Sequence, residues 1–193
     1  MSKKDFETYC PSSRADWRKW LAENHQSKSS VWLIYYKAAT NVPSLSWSEA
    51  VDEALCFGWI DSTKKSIDSK RYKQYFTRRK PNSNWSKVNK EKVARLIQSG
   101  QMTPAGLASI ETAKQNGSWT LLDEVEALVI PADLEEALTK HQGSKAYFDS
   151  LSKSARKILL YWVVSAKRAE TRKKRILEIA ANASKGLKPK QFR

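Results

Sequence analysis

Residues 46–79 read SWSEAVDEALCFGWIDSTKKSIDSKRYKQYFTRR. Ser46 and Glu49 form a capping-box pattern that opens a helix, and Gly58 can end this helix in a left-handed conformation. After Gly58, the segments WIDSTKKSI and RYKQYFTRR are separated by DSK, in which Asp and Ser can bond back to the local backbone. The stretch therefore predicts a helix followed by a β-hairpin.

The sequence before this stretch predicts one more helix and one more strand. Ser13 precedes a segment in which Trp17, Trp20 and Leu21 recur at intervals of three and four residues, as on one face of a helix. The segment SVWLIYYK, residues 30–37, has apolar residues at both odd and even positions, which is typical of a strand buried on both faces. Together with the hairpin, this strand predicts a small sheet.

The sequence after residue 86 has a helical pattern throughout. In SARKILLYWVVSAKR, for example, Ile158, Leu159, Trp162 and Ala166 form one apolar stripe. We therefore expect an α+β fold that is mainly helical, with a small antiparallel β-sheet in the N-terminal half and a helical C-terminal part. The expected division is an α+β unit over residues 1–100 and a helical unit over residues 101–193, packed as one compact protein.

Charge and composition restrict the partners. The 193 residues carry a net charge of +15, of which +11 falls in residues 151–193, and this favours an anionic partner. The first twenty residues lack the apolar run of an export signal, so a cytoplasmic location is expected, without membrane insertion. The two Cys and two His show no metal-ligand spacing, so neither a metal nor another cofactor is expected.

The best candidate ligand site lies along the helix and hairpin of the opening stretch. Two carboxylates, Asp52 and Asp61, could converge there with Arg71 or Arg79 to bind a small anionic ligand or a protein partner. The alternative is an ion-paired network that fixes the hairpin to the helix. The candidate residues are Asp52, Trp59, Asp61, Ser62, Asp68, Arg71, Tyr72, Phe76, Arg79 and Trp85. We expect Asp61 and Arg71 to be partly buried, with at least one facing a concave surface at the end of the helix.

An enzyme acting on a small anionic substrate is a further alternative, for which no catalytic residue can be named. Walker, Rossmann, GxSxG and HExxH motifs are absent from the sequence. Cys56 lies in an apolar run, where a thiol is usually inert. A closed pocket that holds Asp52, Asp61 and an arginine in contact would favour an enzyme.

Two regions have the residue types of a nucleic-acid surface. Alternation along the second hairpin strand places Arg71, Lys73 and Tyr75 on one face, as in platforms for single-stranded nucleic acid, although a small sheet also needs aromatic residues for its own core. The second region is the junction between the last two helices. Its basic residues are Lys167, Arg168, Arg172 and Lys173. A nucleic-acid-binding accessory protein that uses this C-terminal region is therefore an alternative function.

Four segments carry a resemblance to a known family. They are SWSEAVDEALCFGWIDS, RYKQYFTRR, NWSKVNKEKVARLIQSGQMTPAG and AYFDSLSKSARKILLYWVVSAKRAETRKKRI. In this order they resemble the YdeI/OmpD-associated family, also labelled bacteriocin-protection proteins. Arg78 stands where that family has Pro, and Arg79 matches the family's arginine. The resemblance implies a binding or accessory protein related by the family label to protection against bacteriocins or antimicrobial stress. The label also evokes the cell envelope, whereas the expected location of this chain is the cytosol.

Overall fold

The computed structural model describes residues 7–193, which fall into two compact units that divide between Trp119 and Thr120. The helices and strands of the first unit are β1 (Thr8–Tyr9), α1 (Arg14–Asn24), β2 (Ser30–Tyr36), α2 (Trp47–Cys56), β3 (Trp59–Ser66), β4 (Arg71–Arg78), α3 (Lys87–Gln98) and α4 (Pro104–Gln115). The mainly helical α+β fold is confirmed, with the sheet in the N-terminal half.

The sheet has the strand order β1-β2-β4-β3. The predicted hairpin of β3 and β4 is antiparallel, and β4 also pairs antiparallel with β2. The sheet is nevertheless mixed rather than purely antiparallel, because β1 pairs parallel with β2, with Thr8 beside Trp32. A strand of two residues is too short for an alternating pattern, so β1 could not be predicted from the sequence.

The predicted helix ends are confirmed. Ser46 accepts a hydrogen bond from the Glu49 backbone N–H, and the Glu49 carboxylate accepts one from the Ser46 backbone N–H, so the capping box of α2 is complete. Gly58 follows α2 with a φ of +72°, the left-handed conformation that favours glycine. The hairpin starts at the next residue.

The core of the first unit lies between the sheet and α1 and α2. Trp17 of α1 packs edge-on against Phe76 of β4, and Trp20 packs edge-on against Trp59 of β3. These rings form one buried cluster with Leu33 and other apolar residues of the same sheet face. Burial of this aromatic surface supplies the main stabilisation of the unit.

Helix α4 belongs to the first unit because it packs against the end of α2. The backbone N–H and the hydroxyl of Thr103 both donate to the Cys56 carbonyl oxygen, at 3.1 and 2.6 Å. A Cβ atom at Gly106 would lie 2.3 Å from the same oxygen, so only glycine permits this approach. The observed boundary therefore follows α4, one helix beyond the division expected at residue 100.

The second unit is entirely helical. Its helices are α5 (Asp123–Glu126), α6 (Ala132–Lys140), α7 (Ser144–Ser150), α8 (Lys153–Val164) and α9 (Ala169–Ala183). Leu160 and Val163 of α8 are fully buried, whereas Ile158, predicted to be buried, is 48% exposed. The buried stripe of α8 is therefore rotated from the predicted one. Within residues 7–193, no helix has the length and apolar character needed to cross a membrane.

Candidate functional site

Asp52 and its neighbour Glu53 are buried carboxylates that join α2 to other helices. Asp52 accepts hydrogen bonds from Lys92 at 2.6 Å and Arg95 at 2.5 Å, both on α3. Glu53 faces α1 and contacts Arg14 and Arg18. The bonds of Asp52 make it part of an ion-paired network. Its partners lie on α3, rather than being the expected Arg71 or Arg79.

Asp61 lies on β3 and is half-buried. Its Oδ2 atom accepts hydrogen bonds from the indole of Trp47 at 2.9 Å and the side-chain amide of Gln74 at 3.0 Å. With Lys64 and Tyr72, these three residues line a cavity of about 370 Å³. Asp61 thus faces a concave surface, as expected. This surface adjoins the first residue of α2, however, and not its end.

Arg71 and Asp68 pair with each other at the tip of the hairpin. The guanidinium of Arg71 lies 2.8 Å from Asp68 Oδ2, and both side chains are about 40% exposed. Asp68 also accepts hydrogen bonds from the backbone N–H groups of Lys70 and Arg71, so its carboxylate closes the turn. The bond from the Arg71 side chain, followed by that from the Lys70 backbone, lowers the pKa of Asp68. These contacts belong to the turn.

Four other candidate residues have contacts within the sheet. Trp59 and Phe76 are fully buried in the core. The ring of Tyr72 stacks on Tyr35, with the ring centres 4.8 Å apart. Ser62 is exposed, and its hydroxyl lies 3.5 Å from the carbonyl oxygen of Tyr75. Of these four, Tyr72 lines the cavity beside Asp61.

Arg79, the residue directly after β4, is a buried cation. Only 8% of the residue is exposed, and its guanidinium carbon lies 3.6 Å from the centre of the Trp85 ring. The Nη1 atom donates to the carbonyl oxygen of Asn84 at 2.9 Å. The Nε and Nη2 atoms are buried and have no hydrogen-bond partner among residues 7–193. Two donor nitrogen atoms of a charged group are therefore unsatisfied.

Arg79 lines a small cavity where the ends of α2 and β4 meet the start of α4. The cavity has a volume of about 240 Å³ and is lined by His25, Gln26, Phe57, Gly58, Arg78, Arg79, Ala105 and Ser109. We call this space the Arg79 cavity. The described lining includes two arginine residues and no acidic residue. An anionic group would therefore find positive charge there without a competing carboxylate in the wall.

Two effects act on the pKa of Arg79. Burial lowers the pKa of Arg79 to about 10, and the negative charge of Asp61 acts in the opposite direction. With this pKa, Arg79 is positively charged at neutral pH. A guanidinium in this state offers parallel donors for charge-assisted hydrogen bonds to an oxyanion.

Small residues bring the walls of the Arg79 cavity together. The Arg79 backbone N–H donates to the Gly58 carbonyl oxygen at 2.9 Å. A Cβ atom at Gly58 would lie 3.1 Å from the carbonyl oxygen of Ala105, so this approach also favours glycine. Three of the lining residues were not predicted from the sequence: His25, Ala105 and Ser109. The small residues of TPAGLAS, 103–109, were the available signal for close packing at a helix start.

The basic C-terminal candidates occupy different environments. Arg172 forms two hydrogen bonds to Asp133, at 2.7 and 2.8 Å, whereas Lys167, Arg168 and Lys173 are exposed. Arg172 and Lys173 also line a cavity of about 560 Å³ between α6 and α9, whose walls include Asp133, Glu136 and Glu170. This cavity thus has mixed charge, which makes it a weaker anion site than the Arg79 cavity.

The constellation that would favour an enzyme is not assembled. Asp52 and Asp61 have separate sets of partners. Burial raises the pKa of the Cys56 thiol, although a hydrogen bond from Arg18 acts against it, so little nucleophilic thiolate forms at neutral pH. Over residues 7–193, no group of three or more His, Cys, Asp or Glu side chains is placed to hold a metal ion.

The fold is that of an α+β unit followed by a helical unit. The boundary between these units, after Trp119, falls between the two segments of the chain that match family models. Residues 9–109 match the family model of a domain of unknown function (DUF8412). Residues 127–186 match the model described as Bacteriocin-protection, YdeI or OmpD-Associated. Since the first match covers just over half of the chain, this protein belongs to the DUF8412 family and carries a YdeI/OmpD-associated domain in its C-terminal unit.

The predicted resemblance is thus confirmed for the C-terminal segment, whereas the helix and hairpin motifs of residues 46–79 lie in the other family's domain. No curated protein and no solved structure matches the chain.

Proposed function

We propose that this protein binds a small anionic ligand in the Arg79 cavity. The observation that carries this function is the buried guanidinium of Arg79, two of whose nitrogen atoms have no hydrogen-bond partner among residues 7–193. Each unsatisfied buried donor costs about 1–3 kcal/mol, and more when the group is charged. An oxyanion would supply both the missing acceptors and the missing counter-charge.

Intramolecular contacts compensate only part of this cost. Stacking of the guanidinium on Trp85 contributes about 0.5–2 kcal/mol, depending on how far the pair is desolvated. The bond to the Asn84 carbonyl satisfies Nη1 alone. The Asp61 carboxylate bonds Trp47 and Gln74 instead of the guanidinium. Arg79 is thus held in place without being neutralised, which is an arrangement suited to binding an anion.

The dimensions of the cavity limit the ligand. A volume of about 240 Å³ is below the roughly 300–1,000 Å³ of pockets that enclose drug-sized molecules. The ligand class is therefore a phosphate, sulfate or carboxylate group, either free or at the end of a larger molecule. Arg78 contributes a second positive charge. Ala105 in the first turn of α4 places the positive end of a helix dipole at the wall.

We further propose that this binding serves a cytoplasmic accessory protein that contributes to protection against bacteriocins or antimicrobial stress. The description of the family matched by residues 127–186 supports this role. Cells that carry Arg79→Met in place of the native residue should be as sensitive to bacteriocins as cells that lack the gene. The intact protein should fractionate with the cytoplasm. Wild-type resistance in the variant would separate the anion site from the protective role.

The binding proposal is tested by titrating phosphate, sulfate and acetate into the purified protein by calorimetry and thermal unfolding. We expect a saturable rise in stability, by about 2.7 kcal/mol at a ligand concentration one hundred times Kd. Arg79→Met should abolish this rise, and Arg79→Lys should retain part of it because a point charge remains. Arg71→Met, which removes a half-buried cation at the other end of β4 that is paired with Asp68, is the control and should bind like the wild type. Equal stabilisation of the wild type and Arg79→Met would refute the proposal.

A further inference from the structure

The sheet has a second surface that the Arg79 cavity does not use. Trp32 of β2 and Tyr75 of β4 are cross-strand neighbours whose ring centres lie 4.8 Å apart. The ammonium groups of Lys65 and Lys73 lie 5.5 and 4.7 Å from the centre of the Trp32 ring. These four side chains lie on the face opposite the buried Leu33, and we call this surface the outer face.

The two lysines of the outer face form an unfavourable pair. Lys65 of β3 lies directly opposite Lys73 of β4, and like charges at such a position destabilise a sheet. In the described part of the chain, neither lysine has an ion-pair partner. Asp68, the carboxylate of the hairpin tip, is bonded to Arg71. The outer face therefore concentrates positive charge beside aromatic rings.

We propose that the outer face binds single-stranded nucleic acid. A phosphate placed between the ammonium groups of Lys65 and Lys73 would remove their repulsion and release counterions. Trp32 is only 8% exposed, and the flexible side chains of Lys65 and Lys73 lie near its ring. When the lysines move onto a phosphate, a base can take their place on the ring. A nucleotide provides both groups, and base stacking on aromatic side chains is general among such surfaces.

The neighbouring residue Lys64 offers a matched control. Its ammonium lies 4.2 Å from the Tyr72 ring, on the opposite face of the same hairpin. Lys64→Gln and Lys65→Gln thus remove the same charge from adjacent residues on opposite faces. Binding of a labelled oligothymidylate and an oligouridylate is measured by fluorescence anisotropy at several salt concentrations, starting at low salt.

The expected result depends on the face. Lys65→Gln and Lys73→Gln should each weaken binding several-fold and reduce the slope of log K against log salt by about 0.7, as for one phosphate contact to a single strand. Tyr75→Leu should weaken binding roughly tenfold, as for one lost stacking contact. Lys64→Gln and Arg79→Met should bind like the wild type, provided that both remain folded by circular dichroism.

Several outcomes would overturn this proposal. Equal loss in Lys64→Gln and Lys65→Gln would mean that net charge alone is responsible. Loss only when Lys167, Arg168 and Lys173 are replaced by Gln would transfer binding to the C-terminal unit. Binding to vesicles that contain anionic phosphatidylserine, without binding to either oligonucleotide, would identify a lipid surface instead.

Discussion

Two arginine sites of the first unit differ in whether a carboxylate bonds the guanidinium groups. Arg14 and Arg18 line a cleft beside α1, where the buried carboxylate of Glu53 bonds both guanidinium groups. We call this the Glu53 cleft. In the Arg79 cavity, the guanidinium is more deeply buried and no carboxylate bonds it within residues 7–193. An arginine with its own counterion holds helices together, whereas the proposed anion binding depends on an arginine that has no counterion among residues 7–193.

The largest expected change in the free energy of unfolding comes from removing the carboxylate of the Glu53 cleft. Glu53→Gln leaves the guanidinium groups of Arg14 and Arg18 close together with no negative charge between them. Breaking a buried ion pair typically costs about 3–5 kcal/mol, but these arginine side chains are more than a third exposed, so we expect about 2 kcal/mol. Urea unfolding measures the change. An unchanged unfolding midpoint would show that solvent alone accommodates both arginines.

The next effect is the pH dependence of anion binding in the Arg79 cavity. Because the pKa of Arg79 in the free protein is about 10, the affinity for sulfate should be constant near neutral pH and fall as pH rises through 10, by about tenfold per unit. A bound anion favours the protonated form, so the midpoint of the complex lies higher. Sulfate keeps its charge throughout this range. A loss of affinity near neutral pH would contradict the assignment of this titration to Arg79.

Arg79→Met should change the free energy of unfolding by a smaller amount than Glu53→Gln, and in the opposite direction. Methionine keeps apolar contact with Trp85 and removes a buried charge that has no carboxylate partner. Replacing buried charges by apolar groups of similar volume is often neutral or stabilising, so unfolding should require the same free energy or about 1 kcal/mol more. A loss as large as that of Glu53→Gln would mean that Arg79 is structural. The difference between the two sites would then disappear.

The sequence predicted the local parts of these sites but not their tertiary contacts. Ser46, Glu49 and Gly58 give short-range signals, so α2 and the start of the hairpin were correctly predicted. The different roles of Asp52 and Glu53 follow from their adjacency, since successive helical positions point about 100° apart. Their partners, on α1 and α3, lie too far along the chain for a local pattern to identify.

The walls of the Arg79 cavity also depend on tertiary contacts that a local sequence pattern does not identify. Arg79 and Trp85 were predicted as ligand residues, but the role of α4 depends on its close approach to the carbonyl oxygen of Cys56. The rotated stripe of α8 has a similar cause. The sequence SARKILLYWVV offers apolar residues on more than one face, and packing against α5 and α9 decides that Leu160 is buried and Ile158 exposed.

The smallest effect concerns Asp61, whose charge acts on Arg79 without bonding it. This carboxylate raises the pKa of Arg79, and it should also repel an anion bound in the cavity. Asp61→Asn should therefore tighten sulfate binding at neutral pH by a few-fold, since removing a partly screened charge changes the energy by about 0.5–1 kcal/mol. The alkaline midpoint of binding should move to lower pH at the same time.

Asp61→Asn should leave the fold intact, because the amide oxygen can still accept a hydrogen bond from Trp47 or Gln74. Asp68→Asn removes an equal charge at the hairpin tip, where the carboxylate bonds Arg71, and is the control. Calorimetric titration with sulfate at neutral and alkaline pH measures both quantities. Weaker binding in Asp61→Asn would mean that the carboxylate supports the ligand geometry more than it repels the charge. Asp61 would then belong to the anion site itself, and the Arg79 cavity would resemble the Glu53 cleft in depending on its own carboxylate.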